Sequence, residues 1–147
     1  MMKNVRCAKC VRCGREYEAV PGLTTCACGG VLDIEYDYGY IRSVFSPESL
    51  ENCTDWSMWR YRPFLPVEPD SPPPPLRVGW SPLYRADRLA QAIGLYRLFL
   101  KDDGLNPTAS LKDRASAMAV VKAREAGADT IACSSTGNAA SSLAGNA

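Results

Sequence analysis

The residue pattern predicts an α/β chain in which a small module of short β-strands precedes the start of a parallel-sheet domain. Three observations carry that reading. Two glycine-closed cysteine pairs, Cys10-Val11-Arg12-Cys13-Gly14 and Cys26-Ala27-Cys28-Gly29-Gly30, lie near the N-terminus. An apolar run, Leu95 to Leu100, leads through a turn into an Ala-rich helix that begins at Lys112. A second short run, Thr130-Ile131-Ala132-Cys133, turns at Ser134-Ser135-Thr136-Gly137-Asn138 into another Ala-rich helix. Helix, strand, glycine turn and helix in succession are the rhythm of a parallel α/β sheet.

Totals narrow the chemistry. At 147 residues the chain holds one ordinary domain, or a module plus part of a larger one. A formal charge of +1 with 22% charged residues gives no electrostatic case for nucleic acid or an anionic membrane as partner. No apolar run approaches the roughly 20 residues needed to span a bilayer, and Met1 to Cys7 lacks the apolar core of a signal peptide. A cytoplasmic location is the default expectation. The chain has no histidine, so Ser-His and Cys-His nucleophile pairs and imidazole-ligated metals are excluded within it. General-base work falls to Lys, Asp, Glu or Tyr.

Taken in order, the cysteine pairs come first. Seven cysteines are many for a reducing compartment, and their spacing suits a metal better than disulfides. Each pair with its trailing glycine reads as a knuckle, a tight turn whose backbone N–H groups point at sulfur and whose glycine tolerates positive φ. Cys10, Cys13, Cys26 and Cys28 suit tetrahedral zinc with Zn–S distances of about 2.3 Å. Cys7 competes as a ligand, but the Cys-x-x-Cys-Gly register belongs to Cys10 and Cys13. Alternation at Glu16 to Gly22 and at Val31 to Tyr38 reads as short strands. Residues 1–40 are thus expected to form a zinc ribbon whose metal is structural and supplies much of the folding energy.

Residues 41–82 read as a docking segment and connector. Ser46-Pro47-Glu48-Ser49 predicts a short helix capped by Ser46, with Pro47 at its first position. Trp56, Trp59 and Tyr61 supply apolar bulk for docking the ribbon, and Cys53 reads as an ordinary half-buried thiol. Eight prolines between Pro63 and Pro82, including Pro72-Pro73-Pro74-Pro75, favour extended chain.

Residues 83–147 read as the beginning of the α/β domain. Asp87 to Gly94 has helical spacing and a terminating glycine. Lys101, Asp102 and Asp103 follow the Leu95–Leu100 run, where open α/β sheets place ligand-binding groups. The helix from Lys112 runs to Glu125, with Gly127 as its stop. Locally, Lys112 is either a solvated basic residue or an amine placed to form a Schiff base. The Ser-Ser-Thr-Gly-Asn turn is either a helix cap or an anion site. Ala147 falls inside the last helix, so the chain reads as a truncated piece of a longer protein.

Together, the four-cysteine ribbon, Asn106-Pro107-Thr108-Ala109-Ser110-Leu111-Lys112-Asp113-Arg114 and Ser134 to Asn138 resemble the threonine synthase family, pyridoxal-phosphate enzymes of the tryptophan-synthase-β fold type (fold type II). The usual second motif is Asn-Pro-Thr-Gly-Ser-Phe-Lys-Asp-Arg, with Ala109 and Leu111 the departures here. Gly79-Trp80-Ser81-Pro82-Leu83 is similar to the family's Gly-x-Thr-Pro-Leu, with Ser81 replacing threonine. The resemblance implies a three-layer αβα domain, incomplete here, with pyridoxal 5'-phosphate carried on Lys112. It also implies that Asn138 hydrogen-bonds the cofactor's phenolic oxygen and that Ser135, Thr136 and Gly137 clamp the substrate carboxylate. Asp113 and Arg114 would fix the helix start and its neighbouring loops.

The implied activity is that of a carbon-oxygen lyase converting O-phospho-L-homoserine and water to L-threonine and phosphate. In relatives the glycine-rich phosphate loop and most substrate-phosphate contacts lie beyond the counterpart of Ala147, so this chain alone is expected to be inactive. A homodimer is left open for the full-length protein. A serine/threonine dehydratase or a cysteate synthase shares the lysine motif and is the alternative enzyme. A non-catalytic zinc-ribbon protein is the alternative from another class.

Overall fold

Residues 2–147 are described by a computed structural model; the first residue of the 1–40 module lies outside them. Strand β1 (Val5–Cys10) is the centre of a three-stranded antiparallel sheet. Its neighbours are β2 (Glu16–Tyr17) and β3 (Leu32–Tyr36). Ala8 faces Tyr17 on one side and Ile34 on the other. The alternation read over residues 16–22 yields a strand only at Glu16–Tyr17, because Pro21 and Gly22 turn the chain back toward the second cysteine pair. Strand β1 itself was not read from the pattern. It is the ribbon's central strand, buried on Cys7, Ala8 and Cys10.

Helix α1 (Tyr38–Val44) follows, its start capped by Asp37, whose carboxylate accepts from the Tyr40 N–H at 2.9 Å. Helix α2 (Pro47–Glu51) starts as the sequence predicts. Ser46 and Ser49 bond each other's backbone N–H groups at 3.2 and 2.9 Å, and Pro47 occupies a position whose N–H would be unpaired in any case. A 3-10 segment, Met58–Phe64, then buries Met58 and Trp59. Trp56 and Tyr61 remain substantially exposed, so Trp59 is the aromatic that anchors this segment.

The proline-rich stretch is packed. Val67 and Val78 join Met58, Trp59, Ala117 and Val121 in one apolar cluster, flanked by Leu65, Leu76 and Met118. Ala117 and Val121 are one turn apart on α4 (Lys112–Glu125), so that helix lays an apolar stripe against extended chain. Burying a side chain such as Val121 contributes roughly 1.5–3 kcal/mol. The amide of Asn4 donates to the carbonyl oxygens of Pro63 and Leu65 at 3.0 and 2.8 Å, which ties the ribbon to the same segment. Glu125 accepts from the Glu68 N–H at 2.8 Å and the Ser71 hydroxyl at 2.5 Å, fastening the stretch to the end of α4.

The second half corrects two expectations. The run read as a strand over Leu95–Leu100 is ordered as β5 (Phe99–Lys101), and it pairs with β4 (Leu83–Arg85). That pairing is antiparallel, as are all strand pairings among the described residues, so the predicted parallel sheet and its three αβα layers are not formed in this span. Helix α3 (Asp87–Ala92) joins the two strands. Thr130–Cys133 is also not a strand. A strand's N–H and C=O groups need a neighbouring edge to pair with, and no neighbouring edge lies beside this run among the described residues. Helix α4 spans the predicted residues and stops before Gly127, which takes φ +74°. Helix α5 (Asn138–Asn146) closes the described chain and packs on α4.

Candidate functional site

Two groups of residues matter chemically, and the cysteines form the first. The Sγ atoms of Cys10, Cys13, Cys26 and Cys28 all lie within 4.8 Å of one another. Cys7 is outside this group: three positions from Cys10 on β1, it points to the opposite face of the sheet. The turns are built as knuckles. Gly14 and Gly29 take φ of +74° and +77°, and the N–H groups of Arg12 and Cys13 point at the Cys10 sulfur from 3.4 and 3.5 Å.

The group has the dimensions of a tetrahedral thiolate-bound metal site. Zn–S bonds of about 2.3 Å give sulfur–sulfur edges of about 3.8 Å. The Cys10–Cys28 and Cys13–Cys26 separations are both 3.6 Å. Gly30 leaves room for the group: a Cβ there would stand 2.6 Å from the Cys10 sulfur. Protonation equilibria point the same way. The N–H of Cys28 and the Tyr17 hydroxyl bring the Cys26 thiol down to about 6. The Cys13 and Arg12 N–H groups likewise lower Cys10, against the cost of burial. At Cys28 the Gly30 N–H pulls down, but the sulfurs of Cys26, Cys13 and Cys10 push it up to about 12. Crowded thiolates resist full ionisation, and a cation between them relieves that resistance. The residues fit a divalent thiophilic metal.

The second group gathers around the start of α4. Lys112 is the first residue of that helix and is exposed, and its backbone N–H is capped by the Ser110 hydroxyl at 3.1 Å. Asp113, beside it, is fully buried. Its carboxylate accepts from the Thr108 N–H (2.8 Å), the Thr108 hydroxyl (2.5 Å), the Ser142 hydroxyl (2.6 Å) and the Asn146 amide (3.4 Å). Burial opposes its ionisation, but these donors outweigh it and hold the carboxyl below the usual aspartate range. Ser116 Oγ lies 2.8 Å from Ser142 Oγ, so the α4–α5 contact is polar at this point.

A second clip holds the loop before α4. Arg114 donates to both oxygens of Asp103 at 2.7 and 2.8 Å, and the Ser81 hydroxyl also donates to Asp103. The Arg114 guanidinium, followed by the Ser81 hydroxyl, holds the Asp103 carboxyl far below its ordinary value. Asn106 accepts from the Gly79 N–H at 2.9 Å and donates to the Asp103 carbonyl at 2.8 Å. Lys101 donates to the Ser81 carbonyl. Asp103 and Lys101, read as candidates to meet a ligand at a strand end, are instead engaged in fixing Gly79–Ser81 against Asn106 and Arg114.

The predicted turn lies at the start of α5. Asn138 is its first residue, and Ser135, Thr136 and Gly137 precede it, all exposed. No side chain caps α5; the Ser135 hydroxyl instead accepts from the Gly137 N–H at 3.3 Å. The Asp113–Ser142 bond sets the start of α4 against α5 one turn along from Asn138. Lys112 and Asn138 thus begin two helices joined by a buried carboxylate, while Ser135 and Thr136 sit on the loop before the second.

The groups at the two helix starts are an exposed primary amine (Lys112), a carboxamide (Asn138) and two hydroxyls (Ser135, Thr136). Sequence reasoning missed Tyr17, Ser116, Ser142 and Asn146. Each acts across tertiary contacts, and no spacing in the sequence marks them.

Comparison with known proteins follows the same lines. Residues 75–147 match the family described as pyridoxal-phosphate dependent enzyme. The chain is similar to the threonine synthase of Methanocaldococcus jannaschii, with 40% identity over 136 residues, covering 92% of this chain and 33% of that protein. Similarity to the threonine synthase of Methanosarcina acetivorans is 44% over 137 residues, again 92% of this chain and 33% of that protein. A threonine synthase of Synechocystis sp. is 49% identical over 85 residues, 57% of this chain and 22% of that protein. The chain spans about a third of the length of the first two relatives.

Proposed function

The chain belongs, through residues 75–147, to the pyridoxal-phosphate dependent enzyme family, and on that premise we propose that it supplies the ribbon and the lysine-bearing portion of a threonine synthase. The division into ribbon (1–40), docking segment (41–82) and start of the cofactor domain (83–147) goes with this reading, as do a structural zinc on Cys10, Cys13, Cys26 and Cys28 and a cytoplasmic setting that keeps those thiols reduced. The reaction is conversion of O-phospho-L-homoserine and water to L-threonine and phosphate. One observation carries the proposal: Lys112 and Asn138 start two helices locked together by Asp113 and Ser142.

Bound pyridoxal phosphate supplies an electron sink that acidifies the substrate Cα–H. Lys112 would hold the cofactor aldehyde through its ε-amino group, and that amine would be the group that moves protons at the substrate Cα and Cβ. The Asn138 amide would donate to the cofactor's phenolic oxygen and so help to hold the group. The Ser135 and Thr136 hydroxyls, with the Gly137 N–H once it leaves the Ser135 hydroxyl, would bind the substrate carboxylate at the positive end of α5. Asp113 and Arg114 stay out of the chemistry. They fix α4 and its preceding loop, so that Lys112 starts from one place.

Titration of the chain with pyridoxal phosphate is expected to raise a visible absorbance band that Lys112→Ala removes. A colourless unsubstituted chain, or a band that survives Lys112→Ala, would contradict the assignment.

A further inference from the structure

The N-terminal module contains a hydroxyl that meets one of the four clustered sulfurs. Strand β2 is only two residues long, and its ladder with β1 pairs Tyr17 with Ala8 and Glu16 with Lys9. This short ladder carries the half-buried Tyr17 ring across to the second cysteine pair, where its hydroxyl stands 3.0 Å from the Sγ of buried Cys26. The Ala27 N–H donates to the same hydroxyl oxygen at 3.3 Å. A phenol has one proton and two lone pairs. The Ala27 N–H takes one lone pair, and once Cys26 is a thiolate it has no proton to give, so the Tyr17 O–H is the donor of the 3.0 Å contact.

We propose that the Tyr17 hydroxyl donates a hydrogen bond to the Cys26 thiolate and by doing so orients that ligand and raises the metal affinity of the four-cysteine site; the inference rests on the reading of that site as a metal centre. Four thiolates around a divalent cation retain roughly two negative charges, so donors directed at sulfur stabilise the loaded site. Backbone N–H groups do this at Cys10, where Arg12 and Cys13 supply two of them. At Cys26 the N–H of Cys28 supplies one such donor. Tyr17 supplies a further one from a neighbouring strand. An O–H donor on an ionised acceptor is about twice as strong as a neutral pair, and loss of such supporting contacts typically lowers metal affinity 10–100-fold.

Tyr17→Phe keeps the ring and the β-ladder and removes only the hydroxyl. Zinc affinity, measured by competition with a chromophoric chelator, is expected to fall about 10–100-fold. Cobalt(II) provides a second readout, taken only on folded, metal-loaded protein. Losing a hydrogen bond raises the energy of the sulfur lone pairs, so the thiolate-to-cobalt charge-transfer band of the variant should move to longer wavelength. Tyr36→Phe, at the other end of the β1–β3 ladder from Cys10, should change neither. Equal zinc affinity and an unmoved cobalt band in Tyr17→Phe would overturn the inference while leaving the metal site standing. Failure of the unsubstituted chain to bind either metal would overturn both.

Discussion

Ala109 occupies a backbone position that suits glycine. It takes φ +56°, in the left-handed region, between Thr108 and Ser110 of the lysine motif. That conformation costs an L-residue about 1–2 kcal/mol, and glycine avoids most of the cost while losing more entropy on folding. The family form of the motif has glycine there, so this chain keeps the turn and carries the strain. Ala109→Gly is expected to stabilise the chain by about 0.5–1 kcal/mol in a denaturant melt, and a loss of stability would show that the turn adapts to alanine. Asp113→Asn tests the neighbouring carboxylate. Both its oxygens accept, one from the Thr108 N–H, so an amide NH2 there must face a donor. The expected loss is about 1–3 kcal/mol; unchanged stability would mean that the buried network rearranges at little cost. Lys112 was legible from its motif, whereas the four donors on Asp113 were not, since Ser142 and Asn146 are 29 and 33 residues away.

Among the elements, the α4–α5 pair is the one whose stability should follow pH. Asp113 is held below the usual aspartate range, so its contribution is present at neutral pH and is lost as pH falls through its depressed value. Asp103 on Arg114 and Glu125 on Lys122 and Ser71 shift in the same direction and act on the same side of the pH scale. Acid unfolding, followed by far-UV circular dichroism below about pH 4, is therefore expected to be shallower in Asp113→Asn than in the unsubstituted chain. Parallel acid limbs in the two proteins would remove Asp113 from that role. Helix α4 could be read in advance because its periodicity and its Gly127 stop are local. Thr130–Cys133 could not, because an apolar run becomes a strand only beside another strand's free edge. The β4–β5 hairpin was hidden for a related reason: α3 intervenes between its strands, and an intervening helix reads as a parallel crossover.

For the whole molecule, two residue groups far apart in the chain share one packed body: Trp59, Val67 and Val78 pack with Ala117 and Val121 of α4, and Asn4 ties the N-terminal sheet to Pro63 and Leu65. The grouping of the four cysteines was readable from spacing alone; the approach of the Tyr17 hydroxyl to Cys26 was not. Cys13→Ser with Cys28→Ser is expected to abolish stoichiometric zinc, and zinc retained at full occupancy would mean that another ligand set is used. Spanning about a third of the length of its first two relatives, the chain is expected to release no phosphate from O-phosphohomoserine by itself. Release at a rate typical of an enzyme would show that residues 1–147 suffice. The most direct test of the central assignment is covalent. The chain is mixed with pyridoxal phosphate at low molar excess, reduced with borohydride and mapped by peptide mass spectrometry. Predominant labelling of Lys112 over Lys3, Lys9, Lys101 and Lys122 is the predicted result; labelling spread evenly over all five lysines would contradict it.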